Sequence, residues 1–215
     1  MIIIMRKGIL FDLDGTLWDA VEQIKNSWNQ TMERLALPYR FSYLDIKSHM
    51  GLTPEETVHL AFPDLLLSKG LEIFKQCVND EIIFLKHNPG ILYADEEEVL
   101  SALSKKYLLF VVSNSDKGYI ENYLQTYHFE KYFSGHLCAG DTNKDKHDNI
   151  LIVKDKYHLD KYLYVGDTNK DYIETKKANG VFIHAKYGFG TISDKVLAIS
   201  DLKQLLKLAD DLLDR

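Results

Sequence analysis

Gly8-Ile9-Leu10-Phe11-Asp12-Leu13-Asp14-Gly15-Thr16 is the stretch on which the fold turns. Ile9 to Phe11 is an apolar run of the kind that forms a short buried strand, and it stops at Asp12. Gly15 then lets the backbone turn sharply. Alternate residues of an extended segment share a face, so the carboxylates of Asp12 and Asp14 can converge on one small volume. Two anions that close repel each other unless a cation or a proton relieves them, and oxygen ligands of this type suit Mg²⁺. In open α/β sheets, ligands sit at the carboxyl ends of the strands, where these two acids fall. A calcium loop does not fit the spacing, because its sixth position would be Leu17 and its twelfth Gln23.

Composition narrows the class. The chain has 215 residues, enough for one larger domain or a domain carrying a substantial insertion. Its 46% hydrophobic and 27% charged content is that of an ordinary soluble globule. A net charge of -6 argues against nucleic acid or an anionic membrane as partner. Cys77 and Cys138 lie far apart without metal-ligand spacing, as expected of unpaired thiols in a reducing compartment. The apolar Ile2-Ile3-Ile4 is too short for a signal-peptide core, and its charges, Arg6 and Lys7, follow it. No apolar run approaches the roughly 18 residues of a membrane span. A cytoplasmic location is expected, with Met5 a second candidate start.

Beyond Thr16 the pattern becomes helical. Ala20, Val21, Ile24, Trp28, Met32, Leu35 and Ala36 form one stripe that Pro38 ends. A polar loop is expected through His49, Met50, Gly51 and Leu52. Thr53-Pro54-Glu55-Glu56 is a capping box with proline at the first helical position. A longer helix is expected from about Leu65 to Lys86, closed by Asn88-Pro89-Gly90. Residues 18–88 thus read as an all-helical block without strand signal, inserted after the first strand as a lid that excludes water.

Alternation of strands and helices then resumes. Asp95 with Glu98 is expected to cap a helix through Leu100 and Leu103. Tyr107 to Val112 and Tyr162 to Val165 read as buried parallel strands, with a weaker one at Leu137-Cys138-Ala139 and the last core strand at Val181 to Ala185. Helices are expected after Ser113-Asn114, over 147–157, after Asp167 and over 201–214. The predicted fold is a doubly wound α/β parallel sheet, formed by residues 1–17 and 89–215, with the helical block 18–88 inserted.

Three polar clusters therefore follow apolar strands: Asp12/Asp14, Ser113/Asn114 and Asp167/Asp171, with Lys146 between the second and third. The hexapeptide Gly-Asp-Thr-Asn-Lys-Asp occurs twice, at 140–145 and 166–171. The second copy follows a strong strand, opens a helix and lies after a lysine, so the metal site is assigned to it. In their order, Asp12-Leu13-Asp14-Gly15-Thr16, Ser113-Asn114, Lys146 and Gly166-Asp167-Thr168-Asn169-Lys170-Asp171 resemble the four motifs of the haloacid dehalogenase superfamily. The helical block resembles the cap of its phosphoglycolate-phosphatase and β-phosphoglucomutase-like branch. The resemblance covers nearly the whole chain.

The resemblance implies a Rossmann-like core and a Mg²⁺-dependent phosphatase acting on a small phosphorylated metabolite. Asp12 would be the nucleophile that forms an aspartyl-phosphate, and Asp14 the general acid and then base. Asp12, the backbone carbonyl of Asp14, and Asp167 would hold the ion, with Asp171 orienting that sphere. Lys146, with Lys144 as the alternative, and Ser113 would hold phosphoryl oxygens, and Asn114 and Thr16 are counted with them as substrate-binding. Lys146-His147 departs from the family's common Lys-Pro. Dehalogenases of the superfamily lack an acid at the place of Asp14, which favours phosphoryl transfer. The closest rival is a phosphosugar mutase, which often has Val where Thr16 stands; a catalytically idle metabolite-binding protein is a third reading. Trp18, His49, Gly51 and Thr53 are candidates for contacting the leaving group.

Overall fold

In the computed structural model, which describes residues 5–214, the apolar run at Gly8 is the centre of the sheet. The expectations for Ile2, Ile3 and Ile4 lie outside the described residues. Strand β1 (Lys7–Phe11) is followed by a two-residue strand β2 (Trp18–Asp19) and four helices, α1 (Val21–Arg34), α2 (Tyr43–His49), α3 (Pro54–Ala61) and α4 (Leu67–Leu85). The chain continues through β3 (Ile91–Leu92), α5 (Glu96–Leu103), β4 (Leu108–Ser113), α6 (Tyr119–Tyr127), β5 (Gly135–Cys138) and the short α7 (Ala139–Thr142). It ends with α8 (Lys146–Tyr157), β6 (Lys161–Gly166), α9 (Asn169–Lys177), β7 (Val181–Ala185), β8 (Leu197–Ile199) and α10 (Gln204–Leu213).

Six of these strands form one sheet in the order β5-β4-β1-β6-β7-β8, and every neighbouring pair is parallel. Leaving out the β2–β3 ribbon, this is the Rossmann order 3-2-1-4-5-6. Successive side chains of β1 face opposite sides, Ile9 and Phe11 into one apolar cluster and Leu10 into the other, and all three are fully buried. Burial on both faces is why β1, β4 and β6 are near-continuous apolar runs and not alternating ones. The chain reverses its direction of travel across the sheet between β1 and β6, and the backbone N–H of Asp12 extends that pairing by donating to the Val165 carbonyl at 2.8 Å.

Four details differ from the sequence-based expectation. Residues 43–49 are helical where a loop was expected. A capping box formed by Ser42 and Asp45 starts this helix, but only Ile46 and His49 are buried, too few to show as an apolar stripe. The helical block is framed by strands: Trp18 pairs with Leu92 and Asp19 with Ile91 in an antiparallel ribbon too short to carry a strand pattern. Val181–Ala185 is not the last strand, because the three-residue β8 pairs with it as a short sheet edge. Asp95 does not cap α5 with its side chain. It stands at φ 62°, in the left-handed region, and its carboxylate pairs with Lys203 at 3.0 Å.

The helical block packs around an aromatic cluster. Trp28 of α1 meets the rings of Phe41 and Phe74 edge-on, at centroid distances of 5.4 and 5.8 Å. It is tied to the sheet side at several points. The Asn114 amide donates to the Gly51 carbonyl at 3.0 Å, the Lys170 ammonium lies 2.6 Å from Glu56, and that of Lys47 sits 5.5 Å over the Phe189 ring.

One buried acid away from the strand ends makes stability depend on pH. Glu96 is buried at the start of α5, where the Tyr123 hydroxyl donates to Oε1 while Oε2 has no partner. Burial pushes its carboxyl up to about 8. The folded chain therefore keeps a proton that the unfolded chain releases above about pH 4.5. Stability from this group is fully present below that value and is lost as pH rises through about 8. Glu96→Gln keeps the acceptor for Tyr123 and removes the titration. Its melting temperature is expected to fall less than that of the parent chain between pH 6 and 9, and equal falls would contradict the assignment.

Candidate active site

The site forms where β1 and β6 lie side by side. Asp12 leaves the end of β1 and Asp167 the end of β6, while Asp171 sits in the first turn of α9. One carboxylate oxygen from each of these three buried residues lies within 4.8 Å of the others. Lys146, the first residue of α8 and also buried, reaches into this group, with Nζ 2.9 Å from Asp12 Oδ1 and 2.6 Å from Asp171 Oδ1. Lys144 is exposed.

The two acids of the third cluster, Asp167 and Asp171, are held differently. Asp171 uses both oxygens, Oδ1 for Lys146 and Oδ2 for the N–H and hydroxyl of Thr168, at 3.0 and 2.6 Å. The Thr168 hydroxyl in turn accepts from the Asp171 N–H, so a capping box starts α9 and fixes this carboxylate. Asp167 Oδ2 accepts from the N–H groups of Phe189 and Gly190, at 2.7 and 3.3 Å, whereas Oδ1 is buried without a hydrogen-bond partner. Gly15 is required beside it: at φ +77° its backbone is in the left-handed region, and a Cβ there would lie 2.3 Å from Asp167 Oδ2.

Asp14 turns away from this cluster. Its Oδ1 accepts from the Trp18 indole N–H at 3.0 Å and from the Tyr119 hydroxyl at 2.8 Å. Burial raises its carboxyl to about 6, partly opposed by those two bonds. Burial also pushes Asp12 up, reinforced by the charge of Asp171 and opposed by Lys146. Asp167 rises to about 7 through burial and then the charge of Asp171. Burial by itself would lower Lys146, but Asp12 and Asp171 outweigh it and hold the ammonium above the ordinary lysine range.

Mg²⁺ fits these residues. The donor set is all oxygen, as a hard divalent cation demands, and Asp167 Oδ1 is a buried carboxylate oxygen that lacks the partner such an atom needs.

A cleft of about 750 Å³, counting its solvent-open mouth, rises from Asp12 and Asp14 to the helical block. Ser113 and Asn114 line it, the Ser113 Oγ accepting from the Ser115 N–H at 3.2 Å. Of the four residues considered for the leaving group, His49 and Gly51 line the cleft. Trp18 is buried against Tyr119 and Tyr123 and serves Asp14 instead, and the Thr53 side chain caps α3. Thr16 is fully buried away from the cleft lining, its hydroxyl without a partner and its carbonyl accepting from Tyr187.

Sequence reasoning missed Tyr119, Glu81, Asp116 and the Phe189-Gly190 amides. Tyr119 continues the apolar stripe of α6, four residues before Tyr123, so its spacing reads as core and does not single it out. The aromatic-glycine run Tyr187-Gly188-Phe189-Gly190 after the last predicted strand was the one available signal.

A Rossmann-ordered sheet with three acids and a buried lysine at its switch point defines the class as an α/β enzyme. The chain belongs to the haloacid dehalogenase-like hydrolase family, whose pattern it matches over residues 9–185. It is 27% identical over 212 residues to a phosphoglycolate phosphatase of Aquifex aeolicus, spanning 94% of this chain and 96% of that one. It is 26% identical over 198 residues to one of Vibrio parahaemolyticus, spanning 85% of each. Among solved structures, a haloacid dehalogenase-like hydrolase of Bacteroides fragilis superposes with a TM-score of 0.80 at 24% identity, over 93% of this chain and 99% of that one. A hydrolase of the same family from Streptococcus pneumoniae gives 0.79 at 20% identity, over 95% and 98%. Both share the fold. Among the described residues no helix is long and apolar enough to cross a membrane.

Proposed function

We propose that the chain is a Mg²⁺-dependent phosphatase that hydrolyses a small phosphomonoester through an aspartyl-phosphate on Asp12, and that residues 18–88 act as the cap over that site. The observation that carries the reading is the convergence of Asp12, Asp167 and Asp171 around one point, with the Lys146 ammonium 2.9 Å from Asp12. The names of the two bacterial relatives point the same way.

An Asp12 carboxylate oxygen attacks phosphorus, the ester P–O bond breaks, and the departing alkoxide takes the proton of Asp14. Water then attacks phosphorus, gives its proton to Asp14, and the bond from phosphorus to Asp12 breaks, releasing inorganic phosphate. A carboxyl near pH 6 suits this exchange, since it both gives and takes a proton close to neutrality. Tyr119 and Trp18 hold Asp14 clear of the three-acid cluster, leaving Asp12 the acid that meets phosphorus. Lys146 and Ser113 hold phosphoryl oxygens, with Asn114 beside them; because its amide bonds the Gly51 carbonyl, Asn114 also links cap to core. Asp12, the Asp14 carbonyl and Asp167 would hold Mg²⁺, which neutralises charge on the transferring group, and Asp171 orients Lys146. Thr16, its hydroxyl buried off the cleft, supports the loop and leaves phosphate contact to the others.

The test is a panel of phosphorylated metabolites with Mg²⁺, following inorganic phosphate and sugar-phosphate isomers together. Phosphate release that EDTA abolishes is expected. Isomerisation without phosphate release would replace the phosphatase reading with a mutase.

A further inference from the structure

The wall of the cleft opposite the phosphoryl end differs in charge from its floor. At the floor three acids face Lys146, and a divalent ion would bring their sum to zero. Higher up, Glu81 of α4 and Asp116 of the loop after β4 also line the cleft, and among the described residues no lysine or arginine lines it. Glu81 is buried, and its Oε2 accepts from the Trp28 indole at 2.7 Å. His49, on the same wall and only 8% exposed, has a buried Nδ1 with no hydrogen-bond partner. Burial lowers this imidazole, so near neutrality it presents an uncharged ring and no cation. Phe74, Val78 and Met50 complete an apolar surround in which an unpaired anion is costly.

We infer that the leaving group is a small alcohol carrying hydroxyl or ammonium groups and no carboxylate, its polar end meeting Glu81 and His49. The inference rests on the phosphatase reading and deepens it. A carboxylate beside the scissile ester would be carried up into an apolar wall bearing Glu81 and Asp116, among whose described lining residues none is a lysine or arginine; the charge of Lys75, outside that lining, already acts on Asp116. A hydroxyl or ammonium finds an oxygen acceptor at Glu81 and an open ring nitrogen at His49. Burial lifts the Glu81 carboxyl to about 8, so at neutral pH an arriving hydroxyl meets an uncharged acid, and an arriving ammonium can ionise it. The relatives' name, phosphoglycolate phosphatase, describes a carboxylate-bearing substrate, so this wall separates the chain from them in specificity.

The test compares kcat/KM with Mg²⁺ for sn-glycerol 3-phosphate and O-phosphoethanolamine against 2-phosphoglycolate and 3-phosphoglycerate, with p-nitrophenyl phosphate as a general ester. The better of the first pair should exceed both carboxylates by at least about tenfold, the scale of one mispaired buried group. A smaller preference, or phosphoglycolate turned over best, overturns the inference and leaves the phosphatase reading standing. No phosphate from any ester, p-nitrophenyl phosphate included, overturns both. Glu81→Gln keeps an acceptor for Trp28 and removes the acid that an arriving ammonium can ionise, so it should narrow the ratio between O-phosphoethanolamine and 2-phosphoglycolate; an unchanged ratio contradicts the part given to Glu81.

Discussion

Asp12→Asn is expected to abolish phosphate release, lowering turnover by on the order of 10⁴-fold or more, because the proposed nucleophile is gone while everything that binds the ester remains. The amide occupies nearly the same volume and still offers one oxygen to Lys146, so the ammonium keeps a partner. Charge decides the effect on folding. Asp12 is raised by burial and by the charges of Asp171 and Asp167, which means that its anionic form is crowded in the metal-free protein. Neutralising it relieves that crowding, and the metal-free variant should melt no lower than the parent chain. Phosphate release and a thermal melt on one preparation check both halves. Retention of more than about a hundredth of the activity would remove Asp12 from the nucleophile's place, since positioning groups alone rarely leave so much.

The parts of this site that were readable in the sequence are those fixed by strand ends. An apolar run that stops at an acid, as at Phe11-Asp12 and Gly166-Asp167, places the acid on the carboxyl edge of a parallel sheet whatever the rest of the chain does. The twin hexapeptides show the limit of that logic. At 166–171 the copy begins on the last residue of the six-residue β6, and its Thr168 and Asp171 build the box that starts α9. At 140–145 the same residues follow a four-residue strand and fold into the short helix α7, where Asp141 accepts from Cys138 and is exposed. Local sequence is identical, so the outcome is set by what precedes it. Tertiary partners left no such trace. Tyr119 and Glu81 reach Asp14 and Trp28 across separations of 105 and 53 residues, and no spacing rule within a single element links positions that far apart. The helix α2 and the strands β2, β3 and β8 were unreadable for a different reason: each is too short for a period to repeat.

Lys146→Met should cost both stability and activity, and the two losses should respond differently to Mg²⁺. The ammonium is the fixed cation among three buried carboxylates, in contact with two of them. Methionine fills similar volume but leaves Asp12 and Asp171 facing each other and Asp167 in a medium that screens poorly. Removing one partner of a buried ion pair typically costs about 3–5 kcal/mol. For a chain of this size that corresponds to a fall of roughly 10 °C or more in melting temperature in EDTA. Mg²⁺ binds the same carboxylates, so it should recover much of that fall, raising the variant's melting point by more than the parent's. Activity should not return with it. A divalent ion offsets two of the three negative charges, but it supplies no donor at the Nζ position, where the phosphoryl oxygen is to be held, and turnover should stay at least about 10²-fold down. Thermal melts of both proteins in EDTA and in Mg²⁺, with phosphate release measured alongside, separate the two roles. Equal Mg²⁺ shifts in the two proteins would show that ion and lysine do not share one cluster. Near-normal turnover in the variant would mean that Lys146 holds the acids together without touching the transferring group.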